Sequence, residues 1–263
     1  MEVIKQKLKE LRLSGMARSL EVRNEYAISE RLSFMDFLSL LLEDELTNRR
    51  ENGYRKRLNK AHFPARKTLE EFNFRFQPQL NKRAIFDCAT CEFIRQRENI
   101  LFIGPLGVGK THLAIALGLK ALEEGYKVLF TTVSQMISTL IASKADNTYH
   151  LKLRYYLTPN LLILDELGFK KLNQHTVDEF YEIISRRYEK SSTIITSNKS
   201  LEEWGDVFWD PVLVTAIIDI IIHHCRIIVI KGESYRMQNY KQKSHMKKQF
   251  SPPLFPHHYS KKG

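Results

Sequence analysis

Hydrophobic positions along the first 65 residues recur with a helical period. Ile4, Leu8 and Leu11 fall at i, i+4 and i+7. Ser33 stands where an N-cap is needed, with Asp36 three residues on. Phe34, Phe37, Leu38, Leu41 and Leu42 then make an amphipathic stripe. The helix is expected to run on through Arg49, Arg50, Arg55, Lys56, Arg57 and Lys60, with Gly53 as its weak point. Arg50, Tyr54 and Arg57 share a face by spacing. Cations beside an aromatic ring suit a nucleic-acid backbone, so Arg49, Arg50, Tyr54 and Arg57 are the candidate nucleic-acid contacts, against a plain solvated basic face.

The period is lost over residues 62–80, which hold two prolines and scattered aromatics and read as a linker that packs against the next domain. Asn81–Arg97 is expected as one helix, with Asn99 as its stop signal. From residue 100 strands and helices alternate. The strands are Ile100–Ile103, Val128–Thr132, Leu161–Leu164, Thr193–Thr196 and Arg226–Ile230, and the helices include Thr111–Glu124 and Val177–Lys190. That alternation predicts a parallel sheet covered by helices on both faces. Residues 240–263 are basic, contain prolines and read as a mobile tail. The expected organisation is a helical DNA- or partner-binding domain (1–65), a linker and helix (66–99), an α/β core (100–239) and the tail (240–263).

Composition changes this picture in one respect. With 263 residues, 43% of them apolar, the chain can bury a large core. The mean hydropathy is −0.34, and no run approaches the roughly 18 apolar residues of a membrane span. The N-terminus MEVIKQKLKE is charged from the start, so no secretory signal and a cytoplasmic location are expected. Three cysteines are too few for a disulfide framework. The net charge of +11 is uneven. Residues 1–100 carry 20 Lys/Arg against 15 Asp/Glu, residues 101–230 carry 13 against 14, and residues 231–263 carry 8 against 1. The basic excess lies on the flanks of a near-neutral block, where it suits nucleic acid or an anionic membrane surface, or serves only as solvated charge.

Three segments carry chemistry. Gly104, Pro105, Leu106, Gly107, Val108, Gly109, Lys110 and Thr111 fit G-x-x-x-x-G-K-[ST] between an expected strand and helix. Such glycines let backbone N–H groups turn around a phosphate, and the helix N-terminus adds positive potential. Lys110 is expected on the β- and γ-phosphates and Thr111 on Mg²⁺, with His112 completing the cofactor-binding run. Leu161–Leu164 then ends in Asp165 and Glu166. Ligands bind beyond the carboxyl ends of parallel strands. Asp165 is therefore expected to face the Mg²⁺ with Thr111, and Glu166 to act as general base on water. Asn198, ending the next strand, is the expected sensor of the γ-phosphate or of that water. Lys110, Asp165, Glu166 and Asn198 form the expected catalytic set.

The segments GPLGVGKTHLAIALG, LLILDELG, YEIISRRYEKSSTIITSN, EWGDVFWDPVL and KGESYRM resemble the IstB-like transposition helper ATPases, over roughly residues 5–240. These belong to the AAA+ class and are close to the DnaC helicase loaders. The resemblance implies a P-loop AAA+ parallel sheet sandwiched by helices, with an N-terminal all-helical domain. It also implies a Mg²⁺-dependent ATPase that assembles as a homo-oligomer on duplex DNA and recruits or stimulates a cognate transposase. A DnaC-like loader of a replicative helicase is the alternative, and a non-hydrolysing remnant a third reading. Carried over by resemblance, Lys110 and Thr111 bind ATP and Mg²⁺, Asp165 and Glu166 are the Asp-Glu pair, Asn198 is the first sensor, and Arg236 contacts nucleotide as a second. One position departs. Relatives commonly carry an arginine, a candidate finger for the neighbouring subunit's γ-phosphate, where this chain has Ile220. Slow hydrolysis is expected, or a substitute from Arg186, Arg187 or Arg226.

The remaining features have structural readings. Cys88-Ala-Thr-Cys91 is a lone C-x-x-C without further ligands nearby. His223-His224 reads as structural, and Trp204 and Trp209 as packing for a loop. The tail lysines between Lys241 and Lys262 read either as a source of salt-sensitive DNA affinity or as solvated disorder.

Overall fold

A computed structural model describes residues 1–208, 211–235 and 237. Five apolar runs form one wholly parallel sheet: β1 (Asn99–Ile103), β2 (Val128–Thr132), β3 (Leu161–Leu167), β4 (Ser192–Ser197) and β5 (Cys225–Val229), in the order β2-β3-β4-β1-β5. The alternation of the pleat splits each strand between two cores. Ile100, Phe102, Phe130 and Ile163 face one cluster, while Leu101, Ile103, Leu129 and Leu162 face the other.

The first cluster is closed by α6 (Lys110–Glu123), the second by α7 (Val133–Ala145), α8 (Tyr149–Leu157), α9 (Gln174–Arg187), α10 (Trp204–Val207) and α11 (Pro211–Ile222). Helices α7 and α8 lie where no element was expected, although Val133, Met136, Ile137 and Leu140 carry the helical period and are buried. Asn81–Arg97 is two helices rather than one, α4 (Lys82–Ala89) and α5 (Glu92–Arg95). Between them Cys91 adopts a left-handed conformation with φ 61°. Asn99 does not stop a helix. It opens β1, and its Oδ1 accepts from the Thr193 amide at 2.9 Å.

The N-terminal unit is α1 (Glu2–Glu10), α2 (Ser14–Ser29) and α3 (Phe34–Ala61), and α3 passes through Gly53 unbroken. Ser33 caps α3 by accepting from the Asp36 amide at 3.2 Å. The Glu45 carboxylate accepts from the Gly15 amide at 2.6 Å, so α3 supplies a cap to the start of α2. Met16, Leu20 and Leu41 are this unit's buried apolar cluster. Phe37 packs against it, while the rest of the α3 stripe stays outside: Phe34 is 94% exposed, Leu42 47% and Leu38 43%. The second half of α3 instead packs Tyr54 and Leu58 against the first sheet cluster, which Ala61 enters. That cluster also takes in Leu69, Phe72 and Leu80 from the expected linker. Among the described residues no helix is long and apolar enough to cross a membrane.

Candidate nucleotide site

The P-loop leaves β1 and becomes α6 at the carboxyl edge of the sheet. Gly107 and Gly109 have φ of +81° and +103° there, and a Cβ on Gly109 would sit 2.6 Å from the Phe72 ring. Only glycine combines those dihedrals with that close approach. Lys110 is 7% exposed. Its Nζ donates back across the loop to the Gly104 carbonyl at 2.6 Å and the Pro105 carbonyl at 2.7 Å. The ammonium is thus poised over the centre of the loop.

Asp165 is 4% exposed and lies between two threonines. Thr111 Oγ1 is 2.9 Å from its Oδ1, and Thr196 Oγ1 is 2.5 Å from the same oxygen. Glu166 is the next residue on β3 and would by alternation point to the other face of the sheet. A register shift between Leu164 and Leu167 prevents this. Glu166 takes φ 65°, its amide donates to Thr196 Oγ1 at 3.1 Å, and its side chain lines the cleft with Thr111. The bulge brings two consecutive carboxyl groups to one edge, at the cost of left-handed backbone. Asn198 lines the same cleft, and its Oδ1 is buried with no protein hydrogen-bond donor.

The cleft has a volume of about 500 Å³. Its second wall comes from the expected linker, with Pro64, Phe72 and Phe76, joined by Tyr235 from the C-terminal side. Four contacts pin this wall. A His112 ring nitrogen lies 2.7 Å from the Thr68 carbonyl. Gln77 Nε2 donates to the Val108 carbonyl at 3.3 Å and to the Glu233 carbonyl at 3.4 Å. Phe76 and Tyr235 meet edge to face, with ring centroids 5.2 Å apart. Sequence reasoning missed Phe72, Phe76, Gln77 and Tyr235. For Phe72 and Phe76 the one available signal was the density of aromatics in an aperiodic stretch.

Other expected residues are not gathered here. Arg50 is exposed, but Arg49 pairs with Glu45 at 2.7 Å. Tyr54 packs on the sheet cluster, and Arg57 Nη2 donates to the Leu122 carbonyl at 3.0 Å. The shared face of Arg50, Tyr54 and Arg57 is therefore largely a packing face. Ile220 sits on α11, partly buried against the second cluster. Of the three substitute arginines, Arg187 is 2% exposed and Arg226 pairs with Glu98 at 2.7 Å. Arg187 Nε donates to Thr193 Oγ1, and its Nη atoms donate to the carbonyls of Tyr156, Leu157, Pro159 and Ser192. Burial pushes the Arg187 guanidinium down to about 9, which leaves it charged at neutral pH. Arg186 is exposed and paired with Glu182 at 2.6 Å. Cys88 and Cys91 are buried free thiols, and burial pushes Cys91 up to about 11, so neither offers a thiolate at neutral pH. Trp204 is fully buried, with Nε1 donating to Ser197 Oγ at 3.3 Å. Arg236, Trp209 and the tail lysines lie outside the described residues.

A parallel sheet with this strand order, a P-loop between β1 and α6, and paired carboxyl groups ending the adjacent β3 place the chain in the AAA+ class of ATP-binding proteins. Solved structures share the fold. DnaI aligns with a TM-score of 0.54 at 24% identity, over 63% of this chain and 91% of its own. AMPPCP-bound DnaA from Aquifex aeolicus aligns at 0.54 and 23%, over 73% of this chain and 57% of its own. Within the class, the chain belongs to the family of IstB-like ATP binding proteins, which it matches over residues 6–244. The ATP-binding protein of insertion sequence IS21 from Pseudomonas aeruginosa is 40% identical over 93% of this chain and 92% of its own length. That of IS5376 from Geobacillus stearothermophilus is 40% identical over 87% and 91%.

Proposed function

We propose that this protein is an ATP-hydrolysing helper of a DNA transposase, assembling as a homo-oligomer on duplex DNA in its ATP state. The observation that carries the ATPase half is the Thr111–Asp165–Thr196 chain, with Glu166 and Asn198 on the same cleft. The unpartnered Asn198 Oδ1 and the glycine turn beneath Lys110 fit a phosphate group and the water beside it.

Each residue has a task in this reading. The P-loop amides and Lys110 bind the phosphates, with Nζ exchanging two carbonyls for phosphate oxygens. Thr111 and Asp165 would hold Mg²⁺, directly or through water. When bound, Mg²⁺–ATP supplies the scissile bond and a cation that neutralises the charge developing on the phosphates. Glu166 takes the proton of the attacking water, and Asn198 orients that water. Phe72, Phe76 and Tyr235 offer flat apolar surface to the base. Of the three arginines considered as substitutes for the missing finger, Arg186 is the one whose guanidinium faces solvent.

The transposition half rests on family membership, because the relatives at 40% identity are insertion-sequence ATP-binding proteins. A helicase-loader role has only the shared fold behind it. We place duplex contact on the exposed cations Arg50, Arg55, Lys56 and Lys60 rather than on Tyr54 and Arg57, and the helical unit as a whole serves as the DNA- or partner-binding domain. The test is ATP hydrolysis with and without duplex DNA across protein concentrations, for wild type and Glu166→Gln. DNA-stimulated, concentration-dependent turnover that Glu166→Gln loses, with ATP binding kept, supports the reading. Turnover unchanged in Glu166→Gln removes that residue from the mechanism.

A further inference from the structure

At the amino edge of the sheet, opposite the nucleotide site, three chain segments converge: the end of α9, the α11–β5 turn and the loop entering β1. One ring nitrogen of His223, one of His224 and a carboxylate oxygen of Glu189 lie within 4.8 Å of one another. All three residues are exposed, and the proposed ATPase uses none of them. We propose that Glu189, His223 and His224 form a binding site for a zinc-class divalent metal ion.

The spacing fits. His224 Nε2 is 3.4 Å from Glu189 Oε1. Two ligand atoms about 2.0–2.1 Å from a tetrahedral zinc stand about 3.4 Å apart. The donor set fits as well, since two imidazoles and one carboxylate select a borderline ion over magnesium or calcium. A fourth position stays open to water.

Outer contacts orient the ligands. The Tyr188 hydroxyl is 2.7 Å from His223 Nδ1. With His223 Nδ1–H donating to Tyr188, Nε2 would keep its lone pair for a metal. The backbone is tied at each ligand. The Asn99 amide donates to the His224 carbonyl at 2.7 Å, the His223 amide to Asp219 at 3.0 Å, and Arg97 Nη1 to the Glu189 carbonyl at 2.9 Å. Bound metal would clip α9 to the α11–β5 turn.

The experiment uses the full, tag-free chain dialysed against zinc chloride, with bound zinc measured per chain and affinity by calorimetry. One zinc per chain is expected, together with a higher midpoint of thermal unfolding and unchanged ATP binding. His224→Ala should lose the ion. Tyr188→Phe keeps every ligand and should bind about 10- to 100-fold more weakly, the usual cost of an outer-shell partner. His257→Ala/His258→Ala, in the tail, should bind as wild type does. Absence of zinc from the wild type overturns the site. So does zinc held equally by His224→Ala, or zinc lost with the tail histidines.

Discussion

The α/β unit and the N-terminal helical unit both carry marked apolar patterns and end with different cores. In the α/β unit both faces of every central strand meet helices, and two large buried clusters result. In the helical unit α2 covers only one line of the α3 stripe. Leu41 is buried there while its neighbour Leu42 stays in solvent. A stripe shows which side of a helix is apolar; the number of elements available to cover it decides how much is buried. Charge divides α3 in the same way. Residues 34–48 carry Asp36, Glu43, Asp44 and Glu45 with no Lys or Arg, whereas residues 49–61 carry six Lys/Arg and one Glu. The helix is acidic and apolar where it lies on α2, and basic where it runs along the α/β unit.

The sharpest test of that division removes chemistry from one unit and leaves the other folded. Lys110→Ala should weaken ATP binding by about 100-fold, the loss of a charge-assisted contact worth about 3 kcal/mol, without reducing helical content. Equilibrium ATP titration and circular dichroism would check this; normal affinity would end the P-loop assignment.

Arg187→Ala comes next. The Tyr156 and Leu157 carbonyls belong to the last turn of α8, which has no intrahelical donors, and the guanidinium serves them from α9. Its loss strands several buried acceptors and should cost about 3–5 kcal/mol in urea unfolding, as breaking a buried charged network does. A cost below 1 kcal/mol would mean that water replaces it.

Leu41→Ala against Leu42→Ala compares one helix with itself. The buried position should cost about 2 kcal/mol or more, and the exposed one less than about 0.5 kcal/mol. Equal costs would show the outer stripe to be covered in solution.

The last comparison concerns Asp44. A two-pronged hydrogen bond from Arg23, at 2.8 Å on each oxygen, holds its carboxyl down to about 2. The folded value lies below the unfolded one, so the stabilisation is complete above about pH 4 and fades as pH falls towards 2. The pair is partly exposed, so Asp44→Asn should cost about 1 kcal/mol at neutral pH and flatten that acid limb. Acid titration of unfolding in both proteins would show it.

Much of this was legible in the chain. Lys110 and Thr111 follow from a contiguous loop motif, because a phosphate cradle is made of consecutive amides. Asp165 and Glu166 follow from where a buried parallel strand must end. The five strands were readable because a sheet covered on both faces needs unbroken apolar runs. The bulge that turns Glu166 into the cleft was not readable, since it depends on the register of β3 against β4. The same holds for the linker's role as the second wall.

By itself, then, the sequence determined the sheet, the loop and the acidic pair, all properties of neighbours along the chain. Only the tertiary structure decided that Tyr54 and Arg57 turn inward, that Arg187 is buried and tied to α8 and β4, and that Phe72 and Gln77 close the cleft. It also decided that Glu189 meets His223 and His224. Each of these depends on groups tens of residues apart, and their positions are set by burial and hydrogen bonding across the whole core. No local period or motif encodes that.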